Sequence, residues 1–365
     1  MNLFNFIDKY GCYTFDEVEF TEIDNVILSM ISYLNLDGIV SRHRYEPKTL
    51  KIVADSFFEK FDKKETVVLA TKNAIKIFKN IMNTRRYGNL LLYNYIYKSS
   101  GNNQFGAVTI EINKKLVFVS FEGTDHLISG WKEDFMMCYM FPVPAHKMAI
   151  DYLNKNFLFR RKNIIVGGHS KGGNLALVAS MYSNFIVKDR IIKIYNNDGP
   201  GLRLKQFNSK EYSSIESRLI YTIPNYSVFG LFFECSKNVE VVRSFRKSLF
   251  AHDPLTWVVK DKEFERVELS DFSKKLDVTL HDLVEKYDEE QWEKNVNELF
   301  EVFNRANVVS LVDVLENKKL IFTLISESKD MNSETRKFSR EVIFIMFNCI
   351  RNAPKEELEK FFVRR

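Results

Sequence analysis

Three residues far apart in the chain, Ser170, Asp198 and His252, have the types and the order needed for acyl transfer through a serine nucleophile. Ser170 stands in Gly168-His169-Ser170-Lys171-Gly172, directly after the apolar β-type run Ile164-Ile165-Val166. Asn174 to Met181 then carries Leu175, Leu177, Val178 and Met181 among small residues, which suits a helix packed closely on a sheet. Strand, Gly-x-Ser-x-Gly turn and helix together make a nucleophile elbow. A serine held in a strained backbone conformation between strand and helix needs neighbours without side chains, or the two elements collide.

A serine hydroxyl is a weak nucleophile and requires a base, an acid that orients the base, and an oxyanion hole. Elbow serines of this kind are followed in the chain by the carboxylate and then the histidine, so only His252 and His281 qualify as base. His281, in the helical segment Leu280-His281-Asp282-Leu283, reads as a solvated or capping residue. His252 lies in the turn-forming Ala251-His252-Asp253-Pro254, between the strand-like Val239 to Val242 and the apolar Trp257 to Val259. Asp198 follows the strand-like run Arg190 to Tyr195, at the edge of the sheet where open α/β folds place functional groups. It also fits a purely local role at the start of the Asp198-Gly199-Pro200-Gly201 turn. Asp253 and Glu234 are the other acids in range. Asp253 adjoins the histidine, and such a neighbour rarely folds back onto the ring.

The oxyanion donors expected are the backbone amide of Lys171, after the nucleophile, and an amide from the loop that follows Lys115 to Phe121. In that loop, Glu122-Gly123-Thr124-Asp125, Gly123 permits a tight backbone, and Thr124 offers its amide and a hydroxyl as a third donor. Trp131, Glu133 and Asp134 follow closely. A carboxylate there is suited to fixing the Gly123-Thr124 loop rather than to direct catalysis. Met136 to Pro144 is apolar and proline-punctuated, and either walls an acyl pocket or fills the core. Tyr226, Phe229, Leu231, Phe232 and Phe233 have the same two uses. His126 and His146 precede the nucleophile without metal-ligand spacing, and His169 reads as a packing and hydrogen-bonding residue.

Phe121-Glu122-Gly123-Thr124-Asp125 paired with Gly168-His169-Ser170-Lys171-Gly172-Gly173-Asn174-Leu175-Ala176 resembles the fungal-type, class 3 triacylglycerol lipases of the α/β-hydrolase superfamily. The likeness is closer to an uncharacterised bacterial lipase-like branch. Its marks are Phe15, Phe20, Asp24 to Ser29, Ser32-Tyr33-Leu34, Gly130 to Phe135, Asp198 to Gly201, Ile223-Pro224 with Ser227, Gly230 and Leu231, and His252-Asp253-Pro254 with Trp257. The resemblance implies a serine hydrolase with Ser170 and His252 as catalytic residues and Thr124 at the oxyanion hole. One departure stands out. The fungal-type acid follows a later strand, and the corresponding segment here, Tyr221 to Ser227, holds no carboxylate, so Asp198 is the best substitute.

The elements that must position these residues follow from periodicity. Residues 1–85 read as mainly helical: Thr21 to Asp24 resembles a capping box, and Ile23, Val26, Ile27, Met30, Ile31 and Leu34 recur at helical spacing. Leu90 to Tyr97, Phe105 to Ile112 and Leu116 to Phe121 are expected to pair antiparallel, the first two joined at the Gly101-Asn102-Asn103 turn. Parallel strands then begin at Ile164, Ile191, Leu219 and Val239. Beyond about residue 270 the pattern is helical, with Trp292, Val296, Leu299 and Phe303 on one face. The fold expected is an α/β-hydrolase fold with a mostly parallel central sheet, a helical N-terminal region and a helical C-terminal extension. The domains are 1–270, catalytic, and 271–365, a helical module for capping or partner binding or simply for packing.

Composition sets the outer limits. Four scattered cysteines, Cys12, Cys138, Cys235 and Cys349, argue against a disulfide framework or zinc site and fit a reducing, cytoplasmic setting. The first nine residues lack a basic start and reach Asp8 too soon for a signal peptide, and the apolar runs are too short to span a bilayer. The net charge of +5 is spread among nearly as many acids. Arg85-Arg86 and Arg160-Arg161-Lys162 read as solvated surface with no nucleic-acid motif, compatible at most with weak contact to an anionic membrane surface. No metal or organic cofactor is expected. The activity expected is hydrolysis of a carboxylic ester of a lipid or acyl-bearing molecule through an acyl-enzyme on Ser170. A thioesterase or peptidase would share this machinery. A non-catalytic scaffold would keep the elbow without a working acid.

Overall fold

The computed structural model describes residues 1–60, 69–100, 103–124, 128–308 and 331–351, with Leu324 and Ser326. Asp125, His126 and the first two residues of the Gly101-Asn102-Asn103 turn lie outside the described residues, as does much of 309–330 and all of 352–365.

The core is an eight-stranded sheet in which strand order follows chain order. Its strands are β1 (Lys48–Thr49), β2 (Leu91–Ser100), β3 (Asn103–Asn113), β4 (Leu116–Phe121), β5 (Asn163–His169), β6 (Ile191–Asn197), β7 (Leu219–Pro224) and β8 (Val239–Val242). β1 to β4 pair antiparallel and β4 to β8 parallel, as the sequence leads one to expect apart from the two-residue β1. A small ribbon, β9 (Val259–Lys260) with β10 (Glu263–Phe264), completes the strands among the described residues.

Alternation along the central strands sorts side chains to two faces. Phe118 and Ile165 face a core shared with the N-terminal helices α1 (Leu3–Tyr10), α2 (Glu22–Ser29), α3 (Leu50–Lys60) and α4 (Leu69–Ile81). Val117, Val119, Ile164 and Val166 face the opposite core, which includes α6 (Pro144–Phe157) and α7 (Lys171–Tyr182). Between β4 and α6 lies α5 (Ile128–Met136); short helices α8 (Phe185–Lys188), α9 (Leu204–Phe207) and α10 (Lys210–Ser213) follow α7. This is an α/β-hydrolase fold.

The start of α2 is a true capping box, with Thr21 and Asp24 bonded reciprocally. Asp24 has a second task. Its carboxylate accepts from Arg86 Nε at 2.7 Å, Arg86 Nη2 at 2.6 Å and the Tyr87 hydroxyl at 2.6 Å, and both members of the ion pair are fully buried. Only Arg85 of the Arg85-Arg86 pair is on the surface, bridging to Glu17. The solvated reading of Arg86 is therefore corrected: a bidentate carboxylate and the Val18 and Glu19 carbonyls compensate its burial. Asp24→Ala strands that guanidinium, and a loss of about 3–5 kcal/mol in urea unfolding is expected. A loss below about 1 kcal/mol would contradict this role.

Among the described residues, three long helices follow β10: α11 (Asp271–Lys286), α12 (Glu289–Arg305) and α13 (Ser333–Arg351). The expected face of α12, Trp292, Val296, Leu299 and Phe303, is buried. Phe338 of α13 packs edge-on to Trp292 and Tyr287, at ring separations of 5.0 and 5.4 Å. Met136, Met137, Cys138, Tyr139 and Val143 are buried in this same cluster, so that stretch fills core. α11 also reaches the sheet-side core through Leu276 and Leu280.

Candidate active site

Ser170 sits between β5 and α7 with φ 58° and ψ −136°, a region that side chains rarely adopt. Close packing explains the flanking glycines. A β-carbon on Gly168 would lie 2.3 Å from the Gly172 carbonyl carbon, and one on Gly172 would lie 2.2 Å from the Phe121 oxygen. The strand and helix meet only because both positions lack side chains.

Asp198 is fully buried at the end of β6, and its Oδ2 lies 2.6 Å from His252 Nδ1. Its Oδ1 accepts from Ser227 Oγ at 2.5 Å and from the Gly230 amide at 3.1 Å. An ionised Asp198 with these bonds holds the His252 proton on Nδ1 and leaves Nε2 as the free base. Burial pushes the carboxyl above its ordinary range, opposed by the Ser227 bond, and pulls the His252 imidazole below its own. Among the described residues no hydrogen bond joins Ser170 Oγ to His252, a contact that apo sites often close only in the complex.

The competing residues are occupied elsewhere. Asp253 caps the turn Pro254–Thr256 through the Leu255 amide and accepts from Asn73 at 2.8 Å. Glu234 lies 3.5 Å from His281, within α11. The Asp198 turn itself is held by Asn174, whose amide donates to the Pro200 and Gly201 carbonyls. His146 in turn bonds Asn174 Oδ1 at 2.6 Å.

Tyr33, His169 and Trp257 position the His252 loop. His169 Nε2 lies 2.8 Å from the His252 carbonyl oxygen, and the Tyr33 hydroxyl lies 3.1 Å from both His169 Nδ1 and the His169 carbonyl. Burial, with His252 adjacent, pulls the His169 imidazole down to about 3, so it stays neutral and donates. Trp257 Nε1 donates to the Ala251 carbonyl at 2.8 Å. The ring of Phe229 lies 4.4 Å from that of His252.

At the oxyanion side, Lys171 opens α7, so its amide has no acceptor within the helix. Its side chain is buried and pairs with the equally buried Glu133 at 3.1 Å. Glu133 also accepts from the Ala145 amide, tying α5 and α6 to Lys171. Thr124 Oγ1 donates to Asp134 Oδ2 at 2.6 Å, which corrects its expected use as a third oxyanion donor: a hydroxyl has one proton, and here it is committed. The Thr124 amide remains the candidate. Asp134 thereby ties α5 to the Thr124 loop. Gly123 abuts Tyr33, where a β-carbon would lie 2.0 Å from the hydroxyl oxygen.

A cavity of about 130 Å³ opens at Ser170 and Lys171, lined by Trp131, Asp134, Phe135, Val228, Phe229 and Phe232 among others. Phe229 and Phe232 thus wall the cavity, whereas Leu231 and Phe233 are buried in the core. Tyr33, Gln104, Glu133 and Ser227 carry the supporting contacts. Ser227 was legible only as a family mark, and Gln104, whose carbonyl accepts from Lys171 Nζ at 3.2 Å, has no sequence signal.

Among the described residues no helix is long and apolar enough to cross a membrane. A solved structure, that of M37 lipase, is similar over 91% of this chain and 95% of its own, with 12% identity and a TM-score of 0.37. Among curated proteins no similar sequence is found. The model of one family, described as Mbeg1-like, matches residues 81–301, which include the elbow, Asp198 and His252. The chain belongs to the Mbeg1-like family.

Proposed function

We propose that this protein is a serine hydrolase that cleaves carboxylic esters of lipid or acyl-bearing molecules. The observation that carries the reading is the Asp198 to His252 pair at 2.6 Å, in the right chain order behind a serine in a strained elbow. Ser170 Oγ attacks the ester carbonyl as His252 Nε2 takes its proton, and the Lys171 and Thr124 amides hold the oxyanion. His252 then protonates the departing alcohol. Water, deprotonated by His252, attacks the acyl-enzyme, and His252 returns that proton to Ser170 Oγ as the acyl–oxygen bond breaks and the acid departs.

The scaffold reading drew on the segment Tyr221 to Ser227, which lacks a carboxylate. That segment instead supplies the Ser227 hydroxyl bonded to Asp198, which favours an acid relocated to β6. The apolar cavity at Ser170 favours an acyl group over a polar one. Kinship with fungal-type class 3 lipases, the division into a catalytic domain 1–270 and a helical module 271–365, and a reducing, cytoplasmic setting for the four free cysteines belong to the same proposal.

The test is pre-steady-state hydrolysis of p-nitrophenyl butyrate. An acyl-enzyme mechanism is expected to release a burst of p-nitrophenol approaching one equivalent of enzyme, followed by slower turnover wherever deacylation limits. No hydrolysis by folded protein would return the scaffold reading. Burst-free hydrolysis with no acyl adduct in quenched samples by mass spectrometry would remove the covalent step.

A further inference from the structure

The cavity at Ser170 has two walls of different origin. Phe229 and Phe232 come from the loop after β7, whereas Leu280 and Leu283 come from α11 and Val342 and Ile345 from α13. α13 lies wholly beyond residue 301, where the family match ends. The same helix is fastened to the catalytic loop: Ser248 Oγ donates to the Cys349 carbonyl, and Ser248 opens the 3-10 turn that ends at His252. α13 therefore touches both the cavity and the segment that carries the base.

We propose that α13 is the acyl-chain gauge of this enzyme, with Val342 and Ile345 as the stop that limits the acyl group to about six carbons. The proposal rests on Ser170 being the nucleophile, which places the carbonyl carbon at one end of the cavity. The length follows from volume. An apolar cavity of about 150 Å³ takes up benzene, a six-carbon ligand, and a cavity of about 130 Å³ is of the same class. Each methylene that enters is worth about fourfold in kcat/KM when its burial is realised in the transition state. A chain longer than the cavity must displace packed side chains and loses that gain.

The experiment is the kcat/KM profile on p-nitrophenyl esters from acetate to decanoate, run with alkyl fluorophosphonate labelling of the same full-length samples. The wild type is expected to rise about fourfold per methylene to a maximum near hexanoate and to fall beyond it. Ile345→Trp moves the maximum to butyrate or shorter, and Val342→Ala with Ile345→Ala moves it to octanoate or longer. Phe344→Ala, an exposed position on the same helix, leaves the maximum where it was. If the tryptophan variant does not fold, the alanine variant, which only enlarges the cavity, carries the test. Labelled protein whose maximum stays in place in every folded variant overturns the gauge and leaves the hydrolase reading intact. Wild-type protein that neither labels nor turns over removes the hydrolase reading and the gauge with it.

Discussion

Ser170→Ala is expected to lower kcat on p-nitrophenyl butyrate by a factor on the order of 10⁶, while KM stays close to that of the wild type. Alanine removes the attacking oxygen and leaves the elbow, the cavity and the oxyanion amides in place. Binding of the acyl group to the wall formed by Phe229 and Phe232 is unaffected, so the loss falls on the chemical step. The alanine also keeps the φ of 58°, which a larger residue would tolerate no better than serine does. Unfolding in urea should be similar in the two proteins, which separates lost chemistry from lost structure. A drop of less than tenfold would mean that another group attacks the ester.

Asp198→Asn is expected to keep the fold and lower kcat by about 10⁴. Asparagine is isosteric, but its amide nitrogen presents hydrogens, so His252 is held as the wrong tautomer with Nδ1 as the acceptor. The pH profile gives a second readout. Burial pushes the Asp198 carboxyl up to about 7 and pulls the His252 imidazole below its ordinary value. The two titrate as a pair, and the last proton to leave on raising pH is the one whose loss gives carboxylate with neutral imidazole. In the wild type, kcat/KM therefore rises with pH through a limb near 7 and is flat above it. In Asp198→Asn the carboxyl is gone, and the remaining limb, set by the imidazole alone, moves to lower pH. An acid limb that stays in place would assign the titration to another group. Full activity in Asp198→Asn would exclude it as the acid, and Asp253 and Glu234, bonded to Asn73 and paired with His281, are poor replacements.

Much of this was legible in the sequence where the information is local. The strands from Leu91 to Val242, the α2 cap and the buried face of α12 rest on periodicity and capping chemistry, which act within a few residues. The elbow is local too, since Gly168 and Gly172 stand in for side chains that would collide. The acid was harder. Asp198, Asp253 and Glu234 differ in what surrounds them, and only tertiary placement buries Asp198 against Ser227 and His252. Arg86 reads as solvated beside Arg85, because nothing nearby in sequence announces that Asp24, 62 residues away, faces it. The Thr124 hydroxyl misled in a similar way: one proton serves one acceptor, and the choice of Asp134 depends on how α5 docks. Tyr33 and Trp257 carry no evident chemistry in the sequence, yet they hold the segments of Ser170 and His252. Their bonds go to backbone carbonyls of the elbow and the histidine turn, which no side-chain pattern encodes. A capping use of the C-terminal helices is open from the sequence, but which residues of α13 meet the cavity is not, because α13 is docked by the packing of Phe338 on Trp292 and Tyr287.

The central claim is that Ser170 is a nucleophile activated by His252 and Asp198. Its most direct measurement is intact-mass spectrometry of the full-length protein after exposure to an alkyl fluorophosphonate, with peptide mapping of the adduct. One phosphonyl group per chain is expected, located on Ser170 in the peptide containing Gly168 to Gly173 and absent from Ser170→Ala, with labelling slowed in Asp198→Asn. A folded wild-type protein that acquires no adduct, or one that carries the adduct on a residue other than Ser170, would contradict the account.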